Sequence, residues 1–132
     1  MNIGTVSRAT GLPAKTIRYY ESIGLVAPAE RSAGNYRRYG ESELMALRFV
    51  ERARRLGFTL KEVSELLALW RDKSRQSAEV RALAQAQIRR LDARLRELRS
   101  MRRTLEHLVE RCRGDERPDC PILDELAGEK LS

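Results

Sequence analysis

Residues 84–112 read AQAQIRRLDARLRELRSMRRTLEHLVERC, and within them Ala84, Ile88, Leu91, Leu95, Leu98, Arg102, Leu105, Val109 and Cys112 follow an alternating 4,3 spacing broken in character only by Arg102. This is the seam of a coiled coil, and at ~1.5 Å per residue it spans about 42 Å. A stripe of that length exceeds what a chain of 132 residues can bury against its own core, so it calls for a second helix from another chain. The spacing predicts a homodimer held by Ile88, Leu91, Leu95, Leu98, Leu105 and Val109. It leaves the helix pair parallel or antiparallel.

Upstream of the seam the helical period appears in shorter pieces. Ile3 and Val6 sit one turn apart before a glycine stop at Gly11; Pro13 suits the first turn of a second helix, whose Ile17 and Tyr20 face inward. Two short helices joined by Thr10-Gly11-Leu12 read as a helix-turn-helix. Residues 28–39, with Pro, Gly, Ser, Asn and two tyrosines, read as a loop or small hairpin. The period returns from Glu41 with Leu44, Leu47 and Val50 and lapses at Gly57. Thr59 with Glu62 is a capping-box pattern, opening a helix that turns Leu60, Val63, Leu66, Leu67 and Trp70 to one side. These four helices can share one small core. Residues 71–76 hold no large apolar side chain and mark a boundary, after which Ser77 suits the N-cap of the long helix.

The formal net charge is +7. The last 20 residues carry a net of −3, which leaves +10 on residues 1–112. A basic body fits a polyanion, because neutralising phosphates releases their condensed counterions. The chain has room for one compact domain and an appendage, with no Ser/His/Asp set, no paired carboxylates in a pocket-like context and no glycine-rich phosphate loop, so it reads as a protein that is not an enzyme. Residues 1–6 show no leader pattern, and no stretch approaches the roughly 20 apolar residues of a membrane span. The expectation is a cytoplasmic protein without a membrane partner. In that compartment Cys112 and Cys120 are better read as thiols or metal ligands than as a disulfide.

Lys15-Thr16-Ile17-Arg18-Tyr19-Tyr20 falls on the second helix of the helix-turn-helix, the element that enters the major groove in such motifs. Lys15 and Arg18 are three apart and share a face. In the following loop Arg31, Tyr36, Arg37 and Arg38 form a second basic cluster suited to phosphate contacts, which fix register without reading bases.

Three stretches, Ile17 to Val26, Arg31 with Asn35-Tyr36-Arg37-Arg38-Tyr39, and Leu56-Gly57-Phe58-Thr59-Leu60-Lys61-Glu62-Val63, together resemble the winged helix-turn-helix of the MerR family of transcription regulators. Cys112-Arg113-Gly114-Asp115-Glu116-Arg117-Pro118-Asp119-Cys120-Pro121-Ile122 is similar to the metal loop of its copper-responsive CueR/HmrR-like branch. The resemblance covers nearly the whole chain. It implies a mainly α fold: a winged helix-turn-helix DNA-binding domain at 1–70, a linker and dimerisation helix at 71–111 pairing as an antiparallel coiled coil, and a metal-binding loop with a C-terminal helix at 112–132. It further implies a palindromic operator in double-stranded promoter DNA, lying inside an overlong spacer. The contacts would come from Lys15, Thr16, Arg18, Tyr19 and Tyr20 on the recognition helix and Arg31, Asn35, Tyr36, Arg37 and Arg38 around the wing. RNA polymerase would be reached only through the DNA, which the metal-bound activator bends and untwists.

Ligand counting bears on the metal. Two thiolates favour Cu(I) and fall short of the four ligands Zn(II) usually takes. His107, the single histidine, lies five residues before Cys112 and about 140° around the helix, which makes it a surface residue. A bis-thiolate site around a monovalent ion carries a net −1, which amides at the start of a short helix beginning at Pro121, with Ile122, Leu123 and Leu126, would stabilise. The resemblance adds that Ser77 stands where sensors of divalent ions carry another cysteine, so serine points to Cu(I), with Ag(I) and Au(I) alongside. The chain also ends at Ser132 without the Cys- and His-rich tail of some relatives. An iron–sulfur centre would ask for four cysteines. Two alternatives stay open: a sensor of divalent ions or of thiol redox state using the same cysteines, and an architectural DNA-binding protein whose cysteines are structural.

Overall fold

The computed structural model describes residues 1–31, 33–34, 37–74, 77–112 and 120–128. The elements run α1 (Ile3–Thr10), α2 (Ala14–Ser22), β1 (Glu30–Arg31), β2 (Arg37–Arg38), α3 (Glu41–Arg55), α4 (Leu60–Arg71), α5 (Ser77–Arg111) and α6 (Pro121–Leu126). None of the helices is long and apolar enough to cross a membrane, among the described residues. By contacts the chain divides into two units, residues 1–87 and residues 88–132.

In the first unit each helix has a local reason to start and stop. The Asn2 side chain accepts from the Thr5 N–H at 2.9 Å and opens α1; Gly11 closes it at φ 78°, donating its N–H to Ser7 O at 2.9 Å. Pro13 is the N-cap of α2, one position earlier than its proline suggested. Having no N–H to leave unpaired, it is harmless on either side of that boundary. The predicted capping box is formed, with Glu62 N–H on Thr59 Oγ1 at 3.2 Å and Thr59 N–H on Glu62 Oε1 at 2.9 Å. Ser77 is the first residue of α5, so the N-cap position expected of it falls on residue 76, outside the described residues.

The core of this unit is what the periodicity predicted. Val6, Ile17, Leu47, Val50 and Val63 are shut off from solvent, with α3 packed against α1 and α4 and α1 against α2. Trp70 departs from the expectation. It lies in the last turn of α4, is 38% exposed, and stacks its ring on Phe49 at 4.8 Å instead of joining Leu67 inside. The segment at 28–39 contains a two-stranded antiparallel ribbon, with Glu30 opposite Arg38 and Arg31 opposite Arg37.

One polar side chain is buried in this unit from an unexpected direction. Gln87 is 5% exposed and donates from Nε2 to the carbonyl of Leu56 at 2.8 Å, beside Gly57 at φ 90° in the turn between α3 and α4.

The second unit holds the rest of α5 and the short α6. Helix α5 has 35 residues, about 52 Å at ~1.5 Å per residue. Its seam side chains Ile88, Leu91, Leu95, Leu98, Leu105 and Val109 are all between 45% and 59% exposed. Leu108, which the 4,3 spacing passes over, is the buried apolar residue there, at 4%.

Candidate nucleic-acid interface and thiol pair

Helix α2 divides its residues cleanly between core and solvent. Ile17 and Tyr20 turn inward, leaving Lys15, Arg18 and Tyr19 exposed and Thr16 half-buried at the edge of the same face. Tyr20 was expected both in the core and at the DNA, and the fold turns it inward. The residue is 7% exposed, three residues after Ile17 on one helical face, and its carbonyl accepts from the N–H groups of Leu25 and Val26. The wing places Arg31 and Arg38 on neighbouring strands, both exposed, and Arg37 across from Arg31 in the ladder. Asn35 and Tyr36 lie outside the described residues.

The wing is anchored by residues that sequence reasoning did not single out as a site. Tyr39, 2% exposed, donates its hydroxyl to Glu21 Oε1 at 2.6 Å and its N–H to Met1 O at 2.7 Å. The Met1 amine donates back to Tyr39 O at 3.0 Å. The strand leaving the wing is thereby tied to the end of α2, so recognition helix and wing share one frame. The only hint was the Tyr at the end of the Asn35 to Tyr39 stretch; its partner stands 18 residues away, beyond any local periodicity.

Cys112 directly follows α5, its N–H shared between Leu108 O at 3.0 Å and Val109 O at 3.1 Å. Cys120 is the N-cap of α6, its carbonyl accepting from Asp124 N–H at 3.0 Å, and Pro121 stands at the first position of that helix as predicted. Both cysteines are free and half-buried. The residues between them, 113–119, lie outside the described residues. His107 is exposed, in keeping with its angle on the helix, and Ser77 is exposed at the start of α5. Among the described residues no group of three or more His, Cys, Asp or Glu side chains comes together.

Comparison with known proteins places this architecture. The family model described as "MerR HTH family regulatory protein" matches residues 1–70, and that described as "MerR, DNA binding" matches residues 44–108. The chain belongs to the MerR family. It is 51% identical over 127 residues to the HTH-type transcriptional regulator HmrR of Sinorhizobium medicae (strain WSM419), covering 96% of this chain and 86% of that protein. It is 43% identical over 128 residues to the HTH-type transcriptional regulator CueR of Salmonella typhimurium, covering 97% of this chain and 93% of that one. Among solved structures it matches the transcription regulator PbrR691 of Ralstonia metallidurans CH34 in complex with lead(II), with a TM-score of 0.78, 36% identity, and coverage of 96% of this chain and 98% of that one. This MerR-family protein is thus a transcription regulator and not an enzyme, with the mainly helical fold and long helix of its relatives.

The thiols suit a soft metal ion. Two unbridged sulfurs, half-buried but not sealed, are available as ligands, and thiolate donors select soft ions over those that seek oxygen.

Proposed function

We propose that this MerR-family regulator is a metal-responsive homodimer that activates transcription when Cu(I), Ag(I) or Au(I) is held by Cys112 and Cys120. The observation that carries the reading is the pair of free, half-buried thiols at the end of α5 and the start of α6. The names of the relatives, HmrR and CueR among them, support it, as does a serine at position 77 in place of a further thiol. Cytoplasmic thiols stay reduced and available for such a site.

In this reading residues 1–70 bind promoter DNA, residues 71–111 link and dimerise, and residues 112–132 sense the ion. Lys15, Thr16, Arg18 and Tyr19 of α2 enter the major groove, while Arg31, Asn35, Tyr36, Arg37 and Arg38 of the wing region hold phosphates. A second copy covers the exposed seam from Ile88 to Val109 and sets two recognition helices against a palindromic operator. When bound, the ion supplies a link between two thiolates. Cys112 stands at the end of α5, so a constraint on its sulfur acts on a helix that runs unbroken back to Ser77 in the DNA-binding unit. Bending an operator costs on the order of 1–6 kcal/mol, and a switch from 1:99 to 99:1 needs ~5.5 kcal/mol of differential affinity; a specific thiolate site is of the right size to supply it. RNA polymerase meets the realigned promoter and needs no direct contact with the regulator.

The test is in vitro transcription from the protein's own promoter with buffered Cu(I), Ag(I), Au(I) and Zn(II). Activation by monovalent ions in excess Zn(II), lost in both Cys112→Ser and Cys120→Ser while operator binding persists, is the expected outcome. The lead(II) in the PbrR691 structure favours one second reading, a sensor of divalent ions on the same thiols; activation by Pb(II) or Zn(II) and not by Cu(I) would establish it. DNA compaction with no metal-dependent transcription would instead mark an architectural protein.

A further inference from the structure

We propose that Gln87 is a positioning residue that sets the direction in which α5 leaves the DNA-binding unit, and through it the half-site spacing the regulator accepts. The inference rests on the dimer reading above, but not on the identity of the metal.

Gln87 has the wrong chemistry for its surroundings unless it is doing something there. It is 5% exposed, on a helix whose neighbouring polar residues, Gln85, Arg89 and Arg90, are exposed. A buried amide is costly unless hydrogen-bonded, and this one donates to Leu56 O at 2.8 Å across a sequence separation of 31 residues. That carbonyl belongs to the C-cap of α3, where the last helical carbonyls lack partners within the helix. The neighbouring turn carbonyl, Phe58 O, is taken by Arg54 Nη1 at 2.7 Å. Side chains thus hold both sides of the α3–α4 turn, one from α3 itself and the other from α5.

The approach is close enough to need a glycine. A Cβ placed on Gly57 would stand 2.4 Å from Gln87 Nε2, and Gly57 already holds φ 90°, where other residues are strained. The pair is therefore matched, and advancing α5 by one residue would swing the amide ~100° away from the turn. From Leu56 the path to the DNA face is continuous: α3 packs on α1, and α1 packs on α2, which carries Lys15, Arg18 and Tyr19. The division between the two contact units falls immediately after Gln87. Gln87 lies in the stretch of α5 that belongs to the first unit, one residue before Ile88, the first large apolar residue of the seam.

For a dimer on a palindrome, the exit direction of α5 decides how far apart the two recognition helices stand, and half-site separation follows from that distance. The test is selection of binding sites from a random duplex pool by the full-length wild-type protein, Gln87→Met and Gly57→Ala. Gln87→Met keeps side-chain length and packing while removing the donor, and Gly57→Ala displaces the amide from the other side. Thermal unfolding of each variant separates loss of fold from loss of position. The wild type is expected to select one half-site spacing and to lose about tenfold or more in affinity when one base pair is inserted at its centre. Both variants are expected to select a broadened set of spacings and to lose about threefold or less on the same insertion, with half-site sequence unchanged. If the wild type selects one spacing and both folded variants keep it with the full penalty, the Gln87 inference is overturned and the dimer reading stands. If the wild type itself selects no fixed spacing, the dimer reading fails and takes the inference with it.

Discussion

Residues 1–87 close a core within one chain, whereas the described part of residues 88–132 leaves most of its large apolar side chains exposed. In the first unit Val6, Ile17, Leu47, Val50 and Val63 are all but inaccessible; in the second, apart from Leu108, the large aliphatic residues of α5 are about half exposed. Both use the same amphipathic helix. The difference is that α1 to α4 are short and meet one another within one chain, while α5 is longer than anything available to cover it. Covering a Leu or Ile side chain contributes roughly 1.5–3 kcal/mol; in the dimer proposed above the exposed seam would supply that to a second copy, while the first unit draws its equivalent from its own fold.

The sharpest way to break this contrast is Leu98→Glu. A charge at the middle of the seam is expected to leave residues 1–87 folded and to convert the protein to monomer in sedimentation, with operator affinity falling by about 10²–10⁴-fold as two linked half-sites become one. A variant that stays dimeric would show that the seam is not the interface. Ile17→Ala addresses the other side. It is fully buried, and truncation should cost about 2–5 kcal/mol, read as a lower urea midpoint for the DNA-binding unit and not as a change in oligomeric state. Tyr39→Phe removes one charge-assisted hydrogen bond to Glu21, worth about 1.5–3 kcal/mol. Its effect should appear as faster hydrogen exchange at the wing and weaker operator binding, with the seam untouched. Arg102→Ala takes away an exposed ion pair with Glu106 at 2.6 Å and a polar residue from the seam itself. The pair is worth about 0.3–0.5 kcal/mol, so chemical denaturation should barely register the change.

Most of this contrast was legible in the sequence because it is periodic. The spacing of Leu44, Leu47 and Val50, the Thr59 to Glu62 box, and the stop at Gly11 each depend on residues within a turn or two of one another. So does the 4,3 stripe of α5, which the structure leaves exposed along Ile88 to Val109; its pairing with a second copy stays a proposal. Pro121 at the start of α6 was legible by residue type, as was the unbridged state of the two cysteines. What escaped was set by tertiary distance. Gln87 reads as one more polar residue on a polar face, and only the fold brings it to Leu56. Tyr39 and Glu21 are joined across the wing. Tyr20 was claimed both by the core, through its spacing from Ile17, and by the DNA, through its company; the core holds it. Leu108 fits no seam position, and its burial at 4% was not foreseen.

Trp70 is the only tryptophan in the chain, and it lies stacked on Phe49 with the two rings 13° from parallel. Intrinsic emission excited in the indole band therefore originates from a single place, the partly exposed face of α3 and α4 in the DNA-binding unit. The protein carries an optical probe that sits far along the chain from its thiols. An emission change on adding a thiophilic ion, absent in Cys112→Ser, would record a signal passing from the thiols to the DNA-binding unit without any label having been attached.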